Sequence, residues 1–468
     1  MAATALGGAS GRRYGMPSFE SLLDKINQKA ASPTAKVRHT GSVPFGTGAA
    51  LQHIHRFELG NGLGVLVLVD KSAPTVSYHT WFKVGSRHER PGKTGLAHLF
   101  EHLMFNETEH LAAGEFDKKL EENGAESNAA TWFDWTYYHE ALPKDRLGLA
   151  VKLESDRMAH LVLRDPQVVS EKEVVANERR YRVEDDVEGA ASEVLYKTAF
   201  TCHPYHWPTI GWMEDIQNFT PEDCAAFYRT YYAPNNAVVV VVGDVREADV
   251  LAKIQAAYGG IPAAEIPAED TRPEPPQTAE RRVELKKPTA SEKIFVGYRG
   301  PALGDADHPA LTILSEILTA GRASRLYQRL VVAKELVTDL RGWASTFRDP
   351  GLYELTFTAR PGITAEAILA EVEPELERLR TEVVTPEELE RAKARLELGA
   401  LQALETASGK AEQIGFYETV LGDPNAAFRK LEAYRRTTAG EVRTAARRYL
   451  VDSARTIVVV RPETGAAS

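Results

Sequence analysis

The sequence has little that would tie it to an oxidising compartment, a membrane or nucleic acid. Its two cysteines, Cys202 and Cys224, are too few for a disulfide framework, and we expect two reduced thiols. Its longest apolar runs, such as 237–243, have the length of a strand and are too short to span a bilayer. A formal net charge of −10 argues against a nucleic-acid or anionic-membrane partner.

The N-terminus also lacks the continuous apolar core of a secretory signal. It carries Arg12 and Arg13 and no acidic residue before Glu20, a composition that an organelle presequence would share. The 43% hydrophobic and 26% charged fractions are those of a soluble globular protein. The simplest prediction is therefore a cytoplasmic localisation. We also predict that residues 1–50 form an N-terminal extension.

The chain of 468 residues is too long for one ordinary core, and its two halves resemble each other. Segments that begin at Thr220 and Thr438 align without a gap, at an offset of 438 − 220 = 218 residues. Each predicts a capped helix with a tyrosine near its end, then a turn and a buried β-branched strand. Between the halves, residues 261–282 have the Pro- and Glu-rich composition of a linker.

These patterns predict an α+β fold built from a duplicated unit. We expect two homologous α/β sandwich domains, at 51–260 and 283–468, each an antiparallel-dominated sheet covered by helices. In the first domain, residues 56–70 predict a hairpin, 75–85 a strand and 126–142 a strand pair. The linker between the domains is either a hinge that admits substrate or a passive spacer.

The stretch GLAHLFEHLMF, at 95–105, places three ionisable groups in an apolar helix. His98 and His102 are four residues apart and share one helical face, so both imidazoles could ligate one ion. Glu101 borders that face and could take a proton from a water molecule at the ion. This H-x-x-E-H order reverses the commoner H-E-x-x-H zinc motif.

The alternative is a pair of core histidines satisfied by their neighbours, and the second half of the chain argues against it. Residues 311–318 (LTILSEIL) line up with the motif helix, and isoleucines occupy both histidine positions there, Ile313 and Ile317. Packing alone therefore does not require histidine in this helix, and buried polar groups are unfavourable unless something satisfies them. A metal ion would do so.

Two protein ligands leave a metal ion short of its coordination number, so a third is needed. The segment 165–185 predicts a helix with Asp165 as its cap and Pro166 at its first position. Glu171 and Glu178 lie seven residues apart, on one face of this helix. Spacing alone does not choose between them.

Other histidines give weaker signals. His203 and His206 could form another metal pair with Cys202, but a Pro-punctuated loop with aromatic packing is the better interpretation. His110 and His139 stand alone in the sequence and are interpreted as structural.

Taken together, these motifs resemble the pitrilysin family of zinc peptidases, which includes insulin-degrading enzyme and the mitochondrial processing peptidase. The matching segments are 95–108, 124–138, the helix with Glu171 and Glu178, and 308–330 in the second half. The family's third ligand follows the second histidine at a spacing that selects Glu178, since 178 − 102 = 76.

The resemblance implies a zinc metalloendopeptidase that binds one zinc ion per chain and hydrolyses peptides or short unfolded polypeptides inside a chamber. Zinc would be held by His98, His102 and Glu178, with Glu101 as general base and Glu171 supporting a metal ligand. A structural zinc is less consistent with the motif, because structural sites are closed by four ligands.

Family members add the substrate as a strand to a sheet edge. The resemblance places that edge at 126–131, with Asn128 and Ala129 as substrate contacts. The alternative is an ordinary edge strand in which the asparagine is a cap.

One departure from the family pattern concerns a second-domain Arg and Tyr that hold the substrate carbonyl. Val331 and Thr338 occupy those positions here and supply no charge for an oxyanion. The resemblance then implies the zinc-bearing half of a heterodimer, whose zinc-less paralogue supplies the pair. If Arg325 with Tyr327, or Arg341, serves instead, a homodimer could form.

A competing hypothesis is a non-catalytic scaffold subunit of the same fold. Such subunits lose part of the metal motif, whereas His98, Glu101, His102 and Glu178 are all present here.

Overall fold

The computed structural model describes residues 19–46, 50–269 and 272–463. The presequence-like residues 1–18 lie outside the described residues. Within the part that is described, no helix is long and apolar enough to cross a bilayer.

Seven strands form the first sheet: β1 (Val37–Phe45), β2 (Gln52–Leu59), β3 (Gly64–Val69), β4 (Thr75–Phe82), β5 (Glu126–Thr131), β6 (Thr136–Pro143) and β7 (Ala237–Gly243). Their spatial order is β1-β2-β3-β7-β4-β6-β5. Only β3 and β7 run parallel, and the other neighbours are antiparallel. The predicted hairpin and strand pair are confirmed as β2–β3 and β5–β6.

The second sheet repeats this topology with five strands: β8 (Arg281–Lys287), β9 (Lys293–Arg299), β10 (Val337–Ala344), β11 (Leu352–Ala359) and β12 (Arg455–Pro462). Their order, β8-β12-β9-β11-β10, corresponds strand by strand to β3-β7-β4-β6-β5. Again only the first pair, β8 and β12, is parallel. The predicted duplication of an α+β unit is thereby confirmed.

Fifteen helices surround the sheets in the described part of the chain: α1 (Glu20–Asn27), α2 (Leu96–Leu103), α3 (Glu115–Glu121), α4 (Leu147–His160), α5 (Asp165–Arg179), α6 (Val187–Ala199), α7 (Met213–Gln217), α8 (Pro221–Tyr231), α9 (Glu247–Tyr258), α10 (His308–Thr319), α11 (Ala365–Thr381), α12 (Pro386–Gln402), α13 (Ala407–Leu421), α14 (Ala426–Arg436) and α15 (Ala439–Tyr449). Helices α8 and α15 begin after Thr220 and Thr438, whose hydroxyls cap them within capping boxes. The offset read from the sequence thus relates α8 and β7 to α15 and β12.

The N-terminal region is more closely integrated than an extension would be. Strand β1 pairs with β2 over its whole length, with an irregularity between His39 and Gly41. Phe19 and Ile26 of the preceding segment pack into the core of the first domain. Gly41 and Pro44 interrupt the strand pattern in the sequence, although an edge strand tolerates proline. At the other predicted boundary, residues 261–280 have no regular secondary structure where described, and β8 already includes residues 281–282.

The two halves exchange helices. Helix α6, from the first half, packs on β9 and β12 of the second sheet, while α13, from the second half, packs on β4 and β7 of the first. Gly415 of α13 lies directly against the buried Trp81 ring, because a Cβ added at this glycine would lie 2.0 Å from Trp81 Nε1. Each sheet is therefore covered in part by a helix from the other half.

A buried ion cluster adds to this interlocking. The Arg87 guanidinium contacts Asp134 at 3.1 Å and Asp349 of the second half at 2.7 Å. Tyr205 donates a hydrogen bond to Asp134, and the backbone N–H of Arg348 donates to the same carboxylate. A hinge motion of the two halves about the linker would have to break these contacts. The cluster therefore favours a linker that acts as a spacer over one that acts as a free hinge.

We expect Gly415→Ala to lower the free energy of unfolding by about 1–3 kcal/mol, the usual cost of overpacking a core. The added methyl would collide with Trp81, which is itself stacked on Tyr137 with 4.2 Å between ring centroids. Chemical denaturation measures the change. Gly399→Ala is the matched control: it lies on exposed α12 with no atom within 4 Å of the added Cβ, and should stabilise by about 0.5–1 kcal/mol. Equal effects of the two changes would contradict the close packing of α13.

Candidate metal centre and active site

The motif helix α2 is held firmly at its N-terminus. It begins after Gly95, whose φ of +97° favours glycine, and a Cβ there would lie 2.5 Å from the Ile210 carbonyl oxygen. The buried Glu89 carboxylate accepts hydrogen bonds from the backbone N–H groups of Gly95 and Ala97, both at 2.8 Å. An acidic group at this end also complements the helix dipole.

The apolar side chains of α2 fix its rotation. Five of them are buried in the core of the first domain: Leu96, Ala97, Leu99, Phe100 and Leu103. This orientation turns His98 and His102 toward α5, where the two rings lie 5.0 Å apart between centroids.

Helix α5 brings its acidic residues to these imidazoles. Glu178 Oε2 lies 3.6 Å from His98 Nε2 and 3.3 Å from His102 Nε2. Ligand atoms around a tetrahedral zinc, with bonds of 2.0–2.1 Å, are about 3.3 Å apart. The residues present therefore fit a zinc ion, and the three ligand atoms all lie within 4.8 Å of one another.

Glu171 lies behind the His102 ring, on the side away from Glu178. Its Oε2 is 3.6 Å from His102 Nδ1, the ring nitrogen that faces away from Glu178, and its Oε1 accepts a hydrogen bond from Asn106 Nδ2 at 3.1 Å. A carboxylate in this position orients a ligating imidazole and sets its tautomer. The helix itself begins at Asp165, and the residue in the cap position is Arg164 rather than the predicted Asp165.

The ionisation of the cluster is strongly uneven. Burial lowers the pKa of His98 to about 4, although the charge of Glu178 acts in the opposite direction. Burial would also lower the pKa of His102, but hydrogen bonds with Glu171 and Glu178 raise it to about 9. Burial raises the pKa of Glu178, yet its contacts with His102, His98 and Arg182 outweigh that effect and lower it. Metal ligands bind a cation in their deprotonated form, so a divalent cation at this site would compete with the proton on His102.

Glu101 borders a cleft of about 460 Å³ on the same face of α2. Burial raises the pKa of its carboxyl, while Thr131 and His102 act in the opposite direction. The lining of the cleft includes the following residues of the motif helix, of β5 and of α5: Glu101, His102, Asn128, Ala129 and Glu171. The predicted base and substrate contacts thus share one cleft.

Strand β5 is an edge of the first sheet, paired with β6 alone among the described strands. Asn128 is exposed, and its Oδ1 accepts a hydrogen bond from the Ala129 backbone N–H at 2.8 Å. The Ala129 amide is therefore satisfied by a local side chain rather than by the neighbouring strand. Such an amide is available to a further strand once the asparagine moves aside.

Sequence reasoning missed three contributors. Asn106 holds Glu171, Arg182 pairs with Glu178 Oε1 at 3.0 Å, and Thr131 lies beside Glu101. A signal existed for Arg182, which follows Glu178 by four residues, and for Asn106, which lies three residues after the end of the motif helix.

The remaining histidines differ in outcome. His203 Nε2 lies 2.9 Å from Asp349, and His206 donates to a backbone carbonyl, so the structure favours the packed loop. His139 packs among aromatic rings, 5.4 Å from Tyr137. His110, interpreted as a lone structural histidine, is instead grouped with other potential ligands, Asp156 and His160. The sequence could not show this, because His110 is 46 residues from its carboxylate partner.

Of the positions that the resemblance considers for a carbonyl clamp, Thr338 and Arg341 lie on the edge strand β10, whereas Arg325 and Val331 precede it. Val331 packs against the second core, whereas Thr338 is exposed in an irregularity of β10. Arg325 is held by two hydrogen bonds to Glu388, at 2.7 and 2.8 Å. Arg341 has a side chain that is 69% exposed and pairs with Asp339 at 3.0 Å.

Comparison with known proteins decides the family. Residues 65–211 match the model described as Insulinase (Peptidase family M16), and residues 218–396 match that described as Peptidase M16 inactive domain. Zinc protease PqqE of Helicobacter pylori is 34% identical over 357 residues, which cover 75% of this chain and 80% of that protein. The chain belongs to peptidase family M16. This confirms the resemblance seen in the motifs.

Two further M16 relatives support the assignment. An uncharacterised zinc protease of Bacillus subtilis, YmxG, is 25% identical and covers 79% of this chain and 89% of its own. A crystal structure of a protease from Helicobacter pylori superposes with a TM-score of 0.83 at 31% identity, covering 91% of this chain and 99% of that one. PqqE and YmxG are both named zinc proteases, which agrees with the donor set on α2 and α5.

Proposed function

We propose that this chain is a zinc metalloendopeptidase that hydrolyses peptides or short unfolded polypeptides. One observation carries the proposal: two imidazoles and a carboxylate from α2 and α5 converge beside a cleft that also contains Glu101 and the free edge of β5. His98, His102 and Glu178 would hold the ion, and three protein ligands leave a position open.

Zinc bound there would polarise the scissile carbonyl and make a water molecule more acidic. Glu101 accepts the proton of the attacking water and returns it to the leaving amine. Its position one residue before His102 and its raised pKa suit both steps. Glu171 keeps the His102 ring in place through Nδ1.

The substrate is proposed to bind as an added strand along β5. Its backbone would take the Ala129 amide from Asn128, and the scissile bond would then lie over the cleft beside Glu101. Strand addition recognises backbone more than side chains, so unfolded segments would be preferred over folded proteins.

A second subunit is proposed to close the cleft into a chamber. Val331 and Thr338 supply no charge at the positions of the carbonyl clamp, and Arg325 is bound to Glu388. We therefore favour a zinc-less paralogue that contributes the Arg and Tyr.

A non-catalytic subunit of the same fold is the second candidate. The description "inactive domain" of the model matched at 218–396, together with the missing clamp, favours it. The complete set of His98, Glu101, His102 and Glu178 opposes it.

Hydrolysis of unfolded peptides tests the function directly. We expect purified chain to cleave internal bonds of such peptides, to stop when a chelator removes the metal, and to recover when zinc is restored. Mass spectrometry of the products locates the cuts. A protein that binds zinc at the α2 site but cleaves nothing, alone or with candidate partners, would support the non-catalytic subunit instead.

Ala129→Pro provides a variant that separates binding from chemistry. Proline removes the amide that faces away from β6 and is tolerated at a sheet edge. We expect normal zinc content and a KM raised roughly 2- to 10-fold, because one neutral hydrogen bond contributes about 0.5–1.5 kcal/mol. Lys71→Ala, in the exposed connection between β3 and β4, lies outside this edge strand and should leave KM unchanged.

A further inference from the structure

A second group of potential metal ligands lies on the opposite side of the loop that follows α2. His110 comes from this loop, residues 106–114, and Asp156 and His160 lie one turn apart on α4. Asp156 Oδ1 is 2.5 Å from His110 Nδ1 and 2.9 Å from His160 Nδ1. The two rings are perpendicular, with 4.7 Å between their centroids. Both imidazoles thus direct the same type of nitrogen to one oxygen.

The carboxylate is held in place from behind. Thr108 Oγ1 donates a hydrogen bond of 2.6 Å to Asp156 Oδ2, which leaves Oδ1 for the imidazoles. An outer hydrogen bond that orients a ligating carboxylate is a regular feature of metal sites. Two imidazoles and a carboxylate form a donor set that suits zinc.

The two histidine side chains are accessible from solvent and have room to adjust around an ion. The side chains of His110 and His160 are 60% and 42% exposed, at the mouth of a cleft of about 1010 Å³. Ligands around zinc are about 3.3 Å apart, so the imidazoles must retreat by several tenths of an ångström, which their exposure permits. Three basic residues, Lys119, Lys152 and Arg229, line the same cleft, so its electrostatic potential would not attract a cation. Coordination bonds to the three ligands would therefore have to hold the ion.

The loop connects this cluster to the catalytic cleft. It is joined to the end of α4 by a β-bridge between Thr108 and Leu161 and by the Glu109 N–H, which donates to the His160 carbonyl at 2.9 Å. At its other end, Asn106 donates to Glu171. An ion between His110 and α4 would add a cross-link at the free side of this loop.

We propose that His110, Asp156 and His160 form a second site for a divalent ion of the zinc class, distinct from the α2 site, which fastens the 106–114 loop to α4. Two ligands on one helix and one on the loop make the ion a clamp between them. The remaining coordination positions face the cleft and take water.

Zinc binding to the His98→Ala/His102→Ala double variant tests the site without interference from the catalytic centre. We expect this protein to bind one zinc ion per chain by equilibrium dialysis and metal analysis, and to melt at a higher temperature with zinc than without. Asp156→Asn in the same background keeps the size of the side chain. It should weaken binding by at least about 10–100-fold, the cost of losing even an outer partner.

Two further variants complete the experiment. His110→Ala/His160→Ala, added to the double variant, should abolish both the bound ion and the zinc-dependent rise in melting temperature. His53→Ala, on β2 and outside both clusters, should change neither. The proposal is overturned if the double variant retains no zinc, or if it retains zinc unchanged after removal of His110 and His160. Because His110 and His160 also make hydrogen bonds to Asp156 without a metal ion, each variant is compared with itself, with and without zinc.

Discussion

Glu101→Gln is expected to bind zinc as the unaltered chain does and to hydrolyse peptides roughly 10²–10⁴-fold more slowly, the range that a general base contributes. Glutamine has almost the same shape but cannot accept a proton. Because Glu101 is not among the three converging ligands, its replacement leaves His98, His102 and Glu178 to hold the ion. Metal analysis and steady-state kinetics on the same sample measure the two quantities.

Glu173→Gln is the matched control, because this glutamate is exposed on α5 and contacts none of the ligands. It should leave both rate and zinc content unchanged. The hydrolysis rate of Glu171→Gln should lie between those of Glu101→Gln and Glu173→Gln. Its zinc affinity should be reduced about 10–100-fold, because the support of the His102 ring is weakened. Undiminished hydrolysis by Glu101→Gln would remove this residue from the mechanism.

The cluster on α2 could be predicted because its geometry is mostly local. His98, Glu101 and His102 lie within about one helical turn, and the periodicity of a helix fixes how they face. In the duplicate helix, Ile313 and Ile317 occupy the two histidine positions, which shows that packing does not require histidine there. Choosing Glu178 over Glu171 was different: seven residues is close to two full turns, so both face α2, and the choice needed the family spacing.

The fold was predictable to the extent that the duplication was visible. Strands β7 and β12, with the helices before them, keep the offset of their sequences without a gap. The exchange of α6 and α13 between the sheets was hidden, because a helix pattern shows which face is apolar but not which sheet it covers. Strand β1 was missed for a local reason, since Gly41 and Pro44 interrupt its alternation.

Contacts between distant residues explain what the sequence did not show at the sites. Asn106 is 65 residues from Glu171, and Asp156 is 46 residues from His110. No short-range pattern reports such pairs. The sequence therefore indicates a structural role for His110, and only the folded chain shows the carboxylate that it shares with His160.

The isolated chain is expected to be a slow peptidase that a zinc-less paralogue accelerates about 10²–10³-fold, the effect of one oxyanion donor in other enzymes. Val331 packs into the second core and Thr338 offers only a hydroxyl, so neither can place a charge at the substrate carbonyl. Kinetics of the chain alone and mixed with candidate paralogues, with the mass of each complex, measures the gain.

Replacement of Arg341 distinguishes a heterodimer with a zinc-less paralogue from a homodimer. Its exposed guanidinium on the edge strand β10 is the remaining candidate, since Arg325 is fixed by Glu388. If a paralogue supplies the arginine, Arg341→Ala should leave the rate of the isolated chain unchanged and should not reduce the gain on mixing. A large fall in the rate of the isolated chain, in a sample that is dimeric in solution, would show that two copies complete each other's site through Arg341. High activity in a monomer would remove the need for any partner, because the carbonyl would then be stabilised by the zinc site alone.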